Sequence, residues 1–224
     1  MTTVSSAISD RIFQPIPPVE DPRSHPLEPL NAAEVQQALE LLKQHPVFTP
    51  TTRVISVMLK EPQKALVHRW PNGGVADRQA VAVLFDNGSN TANTVIVNIT
   101  QGEVLDVRQA PSGSQPTLSA DEQIECEQAV LASDEFREAL ERHYGVTDSS
   151  LVMVDIWSAG NYGSEEERSL RLVRPLCFLR TDPTDNGYAR PLEGIRPVVD
   201  LNTMKVIRVE EYGVWPLPSA DPAR

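Results

Sequence analysis

The sequence predicts an α+β fold made of two tandem units, each with a helix packed on one face of an antiparallel sheet. Three observations lead to this prediction: helix-start signals occur twice, a series of short β-rich segments follows each of them, and the apolar residues of the two halves align at a fixed offset. The 224 residues are enough for two modest domains. Because the unit occurs only twice, two sequential domains are favoured over a solenoid.

A proline-rich arm precedes the first predicted helix. Residues 14–29, QPIPPVEDPRSHPLEP, hold six of the nineteen prolines, which favours extended polyproline geometry. Asn31 then supplies a helix cap, and Glu34 completes a capping box three residues later. Pro46 ends this helix.

Five β-rich segments follow in the first half, separated by turn residues such as Asn72-Gly73-Gly74 and Asn87-Gly88. The segments are RVISVML, KALVHRW, AVAVLF, TVIVNI and EVLDV. We therefore predict one helix followed by an antiparallel sheet.

The same order restarts in the second half. Ser119 with Glu122 forms a second capping box, and after a break near Ser133 another helical face begins at Phe136. The β-rich segments that follow are LVMVDIW, SLRLVRPLCFL, RPVVDL and KVIRV. Alternating valines in RPVVDLNTMKVIRV predict a hairpin with Asn202-Thr203 near its turn.

One offset of 102 positions relates the two halves. It pairs residues 97–100 with residues 199–202, and it pairs Glu34 with Phe136, which lays the first helix on the helix of residues 133–144. Prolines and small polar residues in 110–118, APSGSQPTL, predict the boundary between the units.

The charge balance excludes some classes of partner. A net charge of -11 and a pI near 4.8 argue against nucleic acid and anionic membranes, which bind through Lys and Arg. The start, MTTVSSAISDRIF, lacks the pattern of a secretory signal. Cys126 and Cys177 lie outside any CxxC pair, so we expect two buried thiols in a soluble, cytoplasmic protein.

A search for catalytic constellations finds none. The four histidines lie in separate segments without HxH or HxxxH spacing, and neither a GxSxG elbow nor a glycine-rich phosphate loop occurs. Glu165-Glu166-Glu167 beside Arg168 predicts a solvated charged loop. DPTDN, residues 182–186, lacks the acidic spacing of a calcium loop and predicts turns.

Three chemistry-bearing residues cluster in GYARPLEG, just before the predicted hairpin. Arg190 and Glu193 stand three positions apart around a proline, so an ion pair or backbone hydrogen bonds would fix a non-repetitive loop. Such a loop would offer Tyr188 to a ligand or a neighbouring protein.

The order of HPLEPLNAAEV, RVISVMLKEP, DIWSAG and GYARPLEGIRPVVDLNTMKVIRVEEYGVWPLP resembles the noncatalytic N2 and N3 domains of copper amine oxidases. The resemblance implies two cystatin-like α+β units, N2-like over 25–110 and N3-like over 118–215. Residues 1–24 would form a proline-rich arm and 216–224 a connector tail. It also implies that Tyr188, Arg190 and Glu193 border a substrate funnel or a partner chain.

The family's catalytic residues have no counterpart in this sequence. The only Asn-Tyr pair, Asn161-Tyr162, is followed by Gly163 and lies in the N3-like part, so it is not the quinone precursor. The resemblance therefore predicts a noncatalytic accessory subunit of a split primary-amine oxidase. A separately encoded catalytic chain would hold copper and topaquinone, in a hetero-oligomer with two copies of each chain.

Other interpretations remain open at this point. The main alternative is a free-standing cystatin-like binding or interaction module without an oxidase partner, since one fold hosts many functions. An independent enzyme and a truncated product are further alternatives.

Overall fold

The computed structural model describes residues 25–72, 76–160, 165, 167–168 and 170–220. The chain divides into two compact units between Pro116 and Thr117, a position inside the stretch 110–118. The arm of residues 1–24, the Gly73-Gly74 turn and the Asn161-Tyr162 pair lie outside the described residues.

The first unit is a four-stranded antiparallel sheet in the order β1-β2-β3-β4 with one long helix packed on it. Its elements are α1 (Ala32–Gln44), β1 (Thr52–Leu59), α2 (Lys64–Arg69), β2 (Gln79–Asp86), β3 (Thr91–Asn98) and β4 (Glu103–Gln109). Ala38 and Leu42 on α1 are fully buried against valines of β3.

The predicted capping box begins α1. The Asn31 side chain accepts from the Glu34 backbone N–H at 2.9 Å, and the Glu34 carboxylate accepts from the Asn31 backbone N–H at 2.9 Å. Two of the donors left unpaired at a helix start are thereby satisfied. The sequence prediction of this helix is confirmed.

The prediction of a strand at KALVHRW was wrong, because Lys64–Arg69 forms the short helix α2. The segment lacks period-two alternation, and Val67 is its only β-branched residue, so neither signal of a strand is strong. The Val67 backbone N–H bonds the Gln63 carbonyl at 3.3 Å, which closes a helical turn. None of its residues is buried.

Within its described residues, the second unit has two α-helices and five short strands. They are α3 (Ala120–Ala132), α4 (Asp134–Tyr144), β5 (Val152–Asp155), β6 (Leu172–Val173), β7 (Leu176–Leu179), β8 (Ile195–Asp200) and β9 (Lys205–Glu211). β7 pairs with β5, and β6 pairs with β8, which pairs in turn with β9. Only Arg174 and Pro175 separate β6 from β7, and proline has no N–H to continue a ladder. The order β5, interrupted β6/β7, β8, β9 therefore repeats that of the first sheet.

The hairpins of the two units have the same register, as the offset of 102 positions predicted. Val97 pairs with Val104 and Val199 with Val206, each directly after a register shift in its ladder. At the turns Gly102 has φ 72° and Met204, 102 positions later, has φ 50°. The hairpin at 195–211 is confirmed.

The same offset is wrong for the helices. Glu34 of the first cap is bound by Arg78 at 2.7 Å, and Glu122 of the second cap is bound by Arg171 at 2.6 Å. Arg78 directly precedes β2, and Arg171 directly precedes β6, the strand that holds the corresponding place in the second unit. Helix α1 thus corresponds to α3, and the offset fails because the second unit has an additional helix, α4, before its first strand.

Both cysteines are free and buried in the core of the second unit, which confirms the prediction of two buried thiols. Burial raises the pKa of Cys126 to about 12 and also raises the pKa of Cys177. No helix within the described residues is long and apolar enough to cross a bilayer.

Candidate functional site

Exposed aromatic side chains gather on one surface of the second unit. Tyr188 is 59% exposed, and its ring meets that of Phe178 edge-on with centroids 5.1 Å apart. Phe178 also lines an open groove of about 660 Å³ together with Tyr212 and Trp215. We call the exposed aromatic residues Trp157, Tyr188, Tyr212 and Trp215, together with Phe178, the aromatic surface. Large exposed apolar regions of this kind mark sites of interaction.

Backbone and short polar side chains fix the loop that carries Tyr188. The Tyr188 N–H bonds the Asn186 side chain at 3.1 Å, and Asp182 and Asp185 bind the hydroxyls of Thr184 and Thr181. These contacts are the turn chemistry that DPTDN predicted. Hydrogen bonds from the turn lower the pKa of both aspartates below the ordinary value.

Gly187 lets this loop lie close to β5. A Cβ at this position would lie 2.4 Å from the Met153 sulfur and 3.3 Å from the Arg180 guanidinium. Any larger residue would require the ends of the Met153 and Arg180 side chains to move, so glycine allows these two side chains to pack against the Tyr188 loop.

Arg190 and Glu193 are not joined by an ion pair in the described part of the chain. Arg190 Nε donates to the Pro218 carbonyl at 3.1 Å, and its own carbonyl accepts from the Leu179 N–H at 2.8 Å. Of the two arrangements expected for the loop, backbone hydrogen bonding is therefore confirmed. Glu193 is exposed on the wall of the groove.

The segment after β9 packs closely against the end of this loop, at Gly194. Gly194 leaves no room for a side chain, since a Cβ there would lie 2.1 Å from the Gly213 carbonyl oxygen. The Tyr212 N–H bonds the Gly194 carbonyl at 2.8 Å, and the Gly194 N–H bonds the Tyr144 hydroxyl at 2.8 Å. The last residue of GYARPLEG is thus a close-packing position.

Sequence reasoning missed Asp155 as a member of this surface. Its Oδ2 atom lies 3.2 Å from the Trp157 indole nitrogen, which donates to it, and 3.5 Å from the Tyr188 hydroxyl. The spacing of Asp155 and Trp157 at the end of a strand was a local signal, because residues i and i+2 share a side. The approach of Tyr188, 33 positions further on, had no local signal.

The prediction of a solvated charged loop was wrong for Glu167, which forms ion pairs with two arginines. Its carboxylate lies 2.7 Å from Arg208 and 3.3 Å from Arg174, both of which also approach Glu210. Hydrogen bonds from Arg208, followed by those from Arg174, hold the pKa of Glu167 below the ordinary value. Glu165 keeps the predicted character, with an exposed side chain that forms an ion pair with Arg168.

The described histidines do not converge on a metal site. His25 stacks edge-on against Trp70, His45 accepts a backbone hydrogen bond, and His143 contacts Glu211. No group of three potential ligands meets anywhere in the residues that the structure describes. A copper ion, which prefers several nitrogen donors, does not fit these residues.

Two domain models match the chain. Residues 31–107 match the AGAO-like N2 domain, and residues 121–224 match the N3 domain of copper amine oxidases. The chain belongs to the copper amine oxidase family. Its N2 and N3 domains are the noncatalytic domains that the sequence resemblance indicated.

Curated relatives agree with this assignment. The chain is 34% identical to "Diamine oxidase [copper-containing] 1, peroxisomal" of Nicotiana tabacum and 36% identical to "Primary amine oxidase" of Arthrobacter sp. strain P1. The matches cover 89% and 88% of this chain but 30% of each relative. The chain thus spans about 30% of the length of these curated relatives.

A solved relative shows the same fold. The crystal structure of a copper-containing benzylamine oxidase from Hansenula polymorpha superposes with a TM-score of 0.72 at 20% sequence identity. The superposition covers 89% of this chain and 34% of that one. The prediction of two tandem α+β units is confirmed.

Proposed function

We propose that this chain is the noncatalytic N2–N3 subunit of a copper- and quinone-dependent primary-amine oxidase. It docks on a catalytic domain carried by a separate chain and helps to form the substrate funnel. The assembled enzyme oxidises a primary amine to an aldehyde with release of ammonia and hydrogen peroxide. The assembly contains two copies of each chain, and reduced buried thiols are consistent with the cytoplasm.

The observation that carries the proposal is the aromatic surface of the N3 domain. Trp157, Tyr188 and Trp215 are all more than half exposed, as are Tyr212 and Val214. Aromatic residues are enriched at protein interfaces, where their burial contributes much of the binding energy. A catalytic domain that covers this surface would remove its apolar area from water.

The chemistry assigned to the partner does not fit this chain. Copper and topaquinone belong to the proposed catalytic chain, which supplies the electron sink and the oxygen chemistry. The residues described here contribute binding and positioning. Tyr188, with Arg190 and Glu193 at the base of its loop, borders the entrance through which the amine passes.

Co-expression tests the proposal directly. The chain is produced with a copper amine oxidase catalytic domain from the same genome, and co-purification and amine-dependent hydrogen peroxide are measured. We expect a stable complex whose oxidase activity exceeds that of the catalytic chain alone. Full activity of the catalytic chain alone, without co-purification, would replace this proposal with the free-standing binding module.

A further inference from the structure

We propose that residues 16–21 of the proline-rich arm, IPPVED, pack on helix α2 of the N2 domain of the same chain. The inference goes beyond the proposed function and does not rest on it. It assigns an occupant to the surface formed by α2 and the hollow beside it. The contact can be measured on the full chain without a catalytic partner.

Helix α2 lacks the usual sources of helix stability within the described residues. It has six residues, none of which is buried, and Gln63 before it supplies no side-chain cap. The side chains of Leu66 and of Trp70, which ends the helix, are each 37% exposed. Helices this short are marginal in water unless an apolar face packs against another part of the protein. A segment that covers α2 would supply this packing.

The arm joins the N2 domain beside this helix. The His25 ring packs edge-on against the Trp70 ring, with the centroids 5.0 Å apart. Arg78 donates to the carbonyls of Glu28 and Pro29 at 3.1 and 3.2 Å, which fixes the chain that follows His25. Residues 16–21 directly precede this anchored segment in the sequence. At about 3.1 Å per residue in polyproline geometry, they can extend along a helix only about 9 Å long.

The hollow beside α2 suits the apolar part of the segment. It has a volume of about 410 Å³, is open to solvent, and is lined by Leu66, Pro62 and residues at the ends of β1 and β2. Ile16 and Val19 provide apolar side chains to cover Leu66. The two prolines between them favour an extended conformation before binding, so the segment loses little conformational entropy when it packs.

The charges of the helix and the segment are complementary. Helix α2 carries Lys64 and Arg69 but no acidic residue, in a chain of net charge -11. Neither cation forms an ion pair with another described residue. Residues 16–21 end in Glu20 and Asp21 and contain no basic residue. The segment therefore brings two carboxylates to a helix whose cations have no described partner.

The tether favours the chain's own arm over the arm of a second copy. A segment joined to its site by a short linker has an effective concentration on the order of a millimolar. Other copies of the chain at micromolar concentration compete poorly with such a segment. The contact should therefore be independent of the chain concentration.

Hydrogen exchange of the α2 backbone amides, followed by NMR in the full ¹⁵N-labelled chain, tests the contact. The Val67 N–H bonds the Gln63 carbonyl at 3.3 Å, and the Trp70 N–H bonds the Val67 carbonyl at 3.2 Å. A packed arm slows exchange of both amides, because it suppresses local opening of the helix. Ile16→Asp should speed their exchange at least 10-fold.

Ile8→Asp is the matched control, because it places the same charge in the same arm outside the proposed segment. It should leave the exchange rates unchanged. Both positions precede His25, so neither substitution removes a contact within the described N2 domain.

The charge complementarity has its own matched pair. Asp21→Asn should speed exchange of the α2 amides about 3-fold, since exposed ion pairs are weak, and Asp10→Asn should have no effect. When Lys64→Gln and Arg69→Gln are already present, D21N should have no further effect, because its partners are gone.

Equal exchange rates in the wild type, I16D and I8D would overturn the contact. Equal effects of D21N and D10N, or an undiminished effect of D21N without the two cations, would overturn the charge pairing. Exchange that slows as the chain concentration rises would assign the protection to the arm of a second copy and overturn the intramolecular contact. Failure to co-purify with a catalytic chain would defeat only the proposed function.

Discussion

Replacing Glu122 by Gln should destabilise the N3 domain far more than the equivalent change at Glu34 destabilises the N2 domain. The two glutamates hold the same place in their capping boxes, and each binds an arginine that precedes a strand. They differ in burial. The side chains of Glu122 and Arg171 are 0% and 3% exposed, whereas those of Glu34 and Arg78 are 19% and 20% exposed.

The size of the expected loss of stability follows from the contacts of Glu122 that glutamine cannot make. Arg171 donates to both oxygens of Glu122, at 2.6 and 2.9 Å, and one of these oxygens also accepts from the Ser119 N–H at 2.7 Å. Glutamine keeps one acceptor but turns an N–H group toward the guanidinium. Breaking a buried pair in this way costs about 3–5 kcal/mol. Water can reach the Glu34 pair, so its loss should cost about 1–2 kcal/mol.

Urea unfolding followed by tryptophan fluorescence measures the difference. Trp70 reports on the N2 domain, and Trp157 and Trp215 report on the N3 domain. With a denaturant slope of about 2 kcal/mol/M, E122Q should lower the N3 midpoint by about 1.5–2.5 M and E34Q the N2 midpoint by about 0.5–1 M. Glu138→Gln, an exposed change on α4, is the control and should move neither midpoint.

Equal shifts in E122Q and E34Q would refute the reasoning, because burial would then not decide the cost. An unchanged N3 midpoint in E122Q would refute it as well. A double variant in which Arg171→Met accompanies E122Q should recover part of the loss, since it removes the unpaired charge.

Three further predictions concern pH, packing and substrate access. Burial raises the pKa of Asp86, but hydrogen bonds from Ser89, Thr51 and other donors outweigh it and lower the value to about 2. The contribution of this carboxylate to the free energy of unfolding should therefore be complete above about pH 4 and be lost as the pH falls toward 2. The D86N variant should lose less stability over this pH range than the wild type. Identical profiles of stability against pH for the two proteins would contradict the prediction. Gly194→Ala places a methyl group against the Gly213 carbonyl and should lower the N3 unfolding midpoint, whereas an unchanged midpoint would show that the segment after β9 moves freely. In the assembled oxidase, Tyr188→Ala should raise KM for amines with kcat for a small amine nearly unchanged, because it acts on access; a fall in kcat alone would place Tyr188 in the chemical step.

Local signals in the sequence predicted most of the fold. Both capping boxes could be recognised because the cap and the third helical residue are close in sequence. The β8–β9 hairpin could be recognised because valine alternation fixes its register. The helix α2 could not be predicted reliably, since six residues give too little pattern to separate helix from strand.

The site could be predicted only in part. Tyr188 and its loop were identified within one short motif, but the partner of Arg190 is the carbonyl of Pro218, 28 positions away. Asp155 meets Tyr188 only because β5 and β7 pair and the Tyr188 loop leads on from β7. Such contacts depend on tertiary structure, which composition and periodicity do not specify.

The central claim is that the aromatic surface of the N3 domain docks on a catalytic chain, and one matched pair of variants tests it most directly. Val214→Asp places a charge beside Tyr212 and Trp215, and Ile124→Asp places the same charge on α3; the two side chains are 67% and 56% exposed. Co-purification with the catalytic chain is measured for both. We predict that V214D weakens the complex at least 10-fold while I124D leaves it intact. Equal retention of the catalytic chain by V214D and I124D would contradict the account.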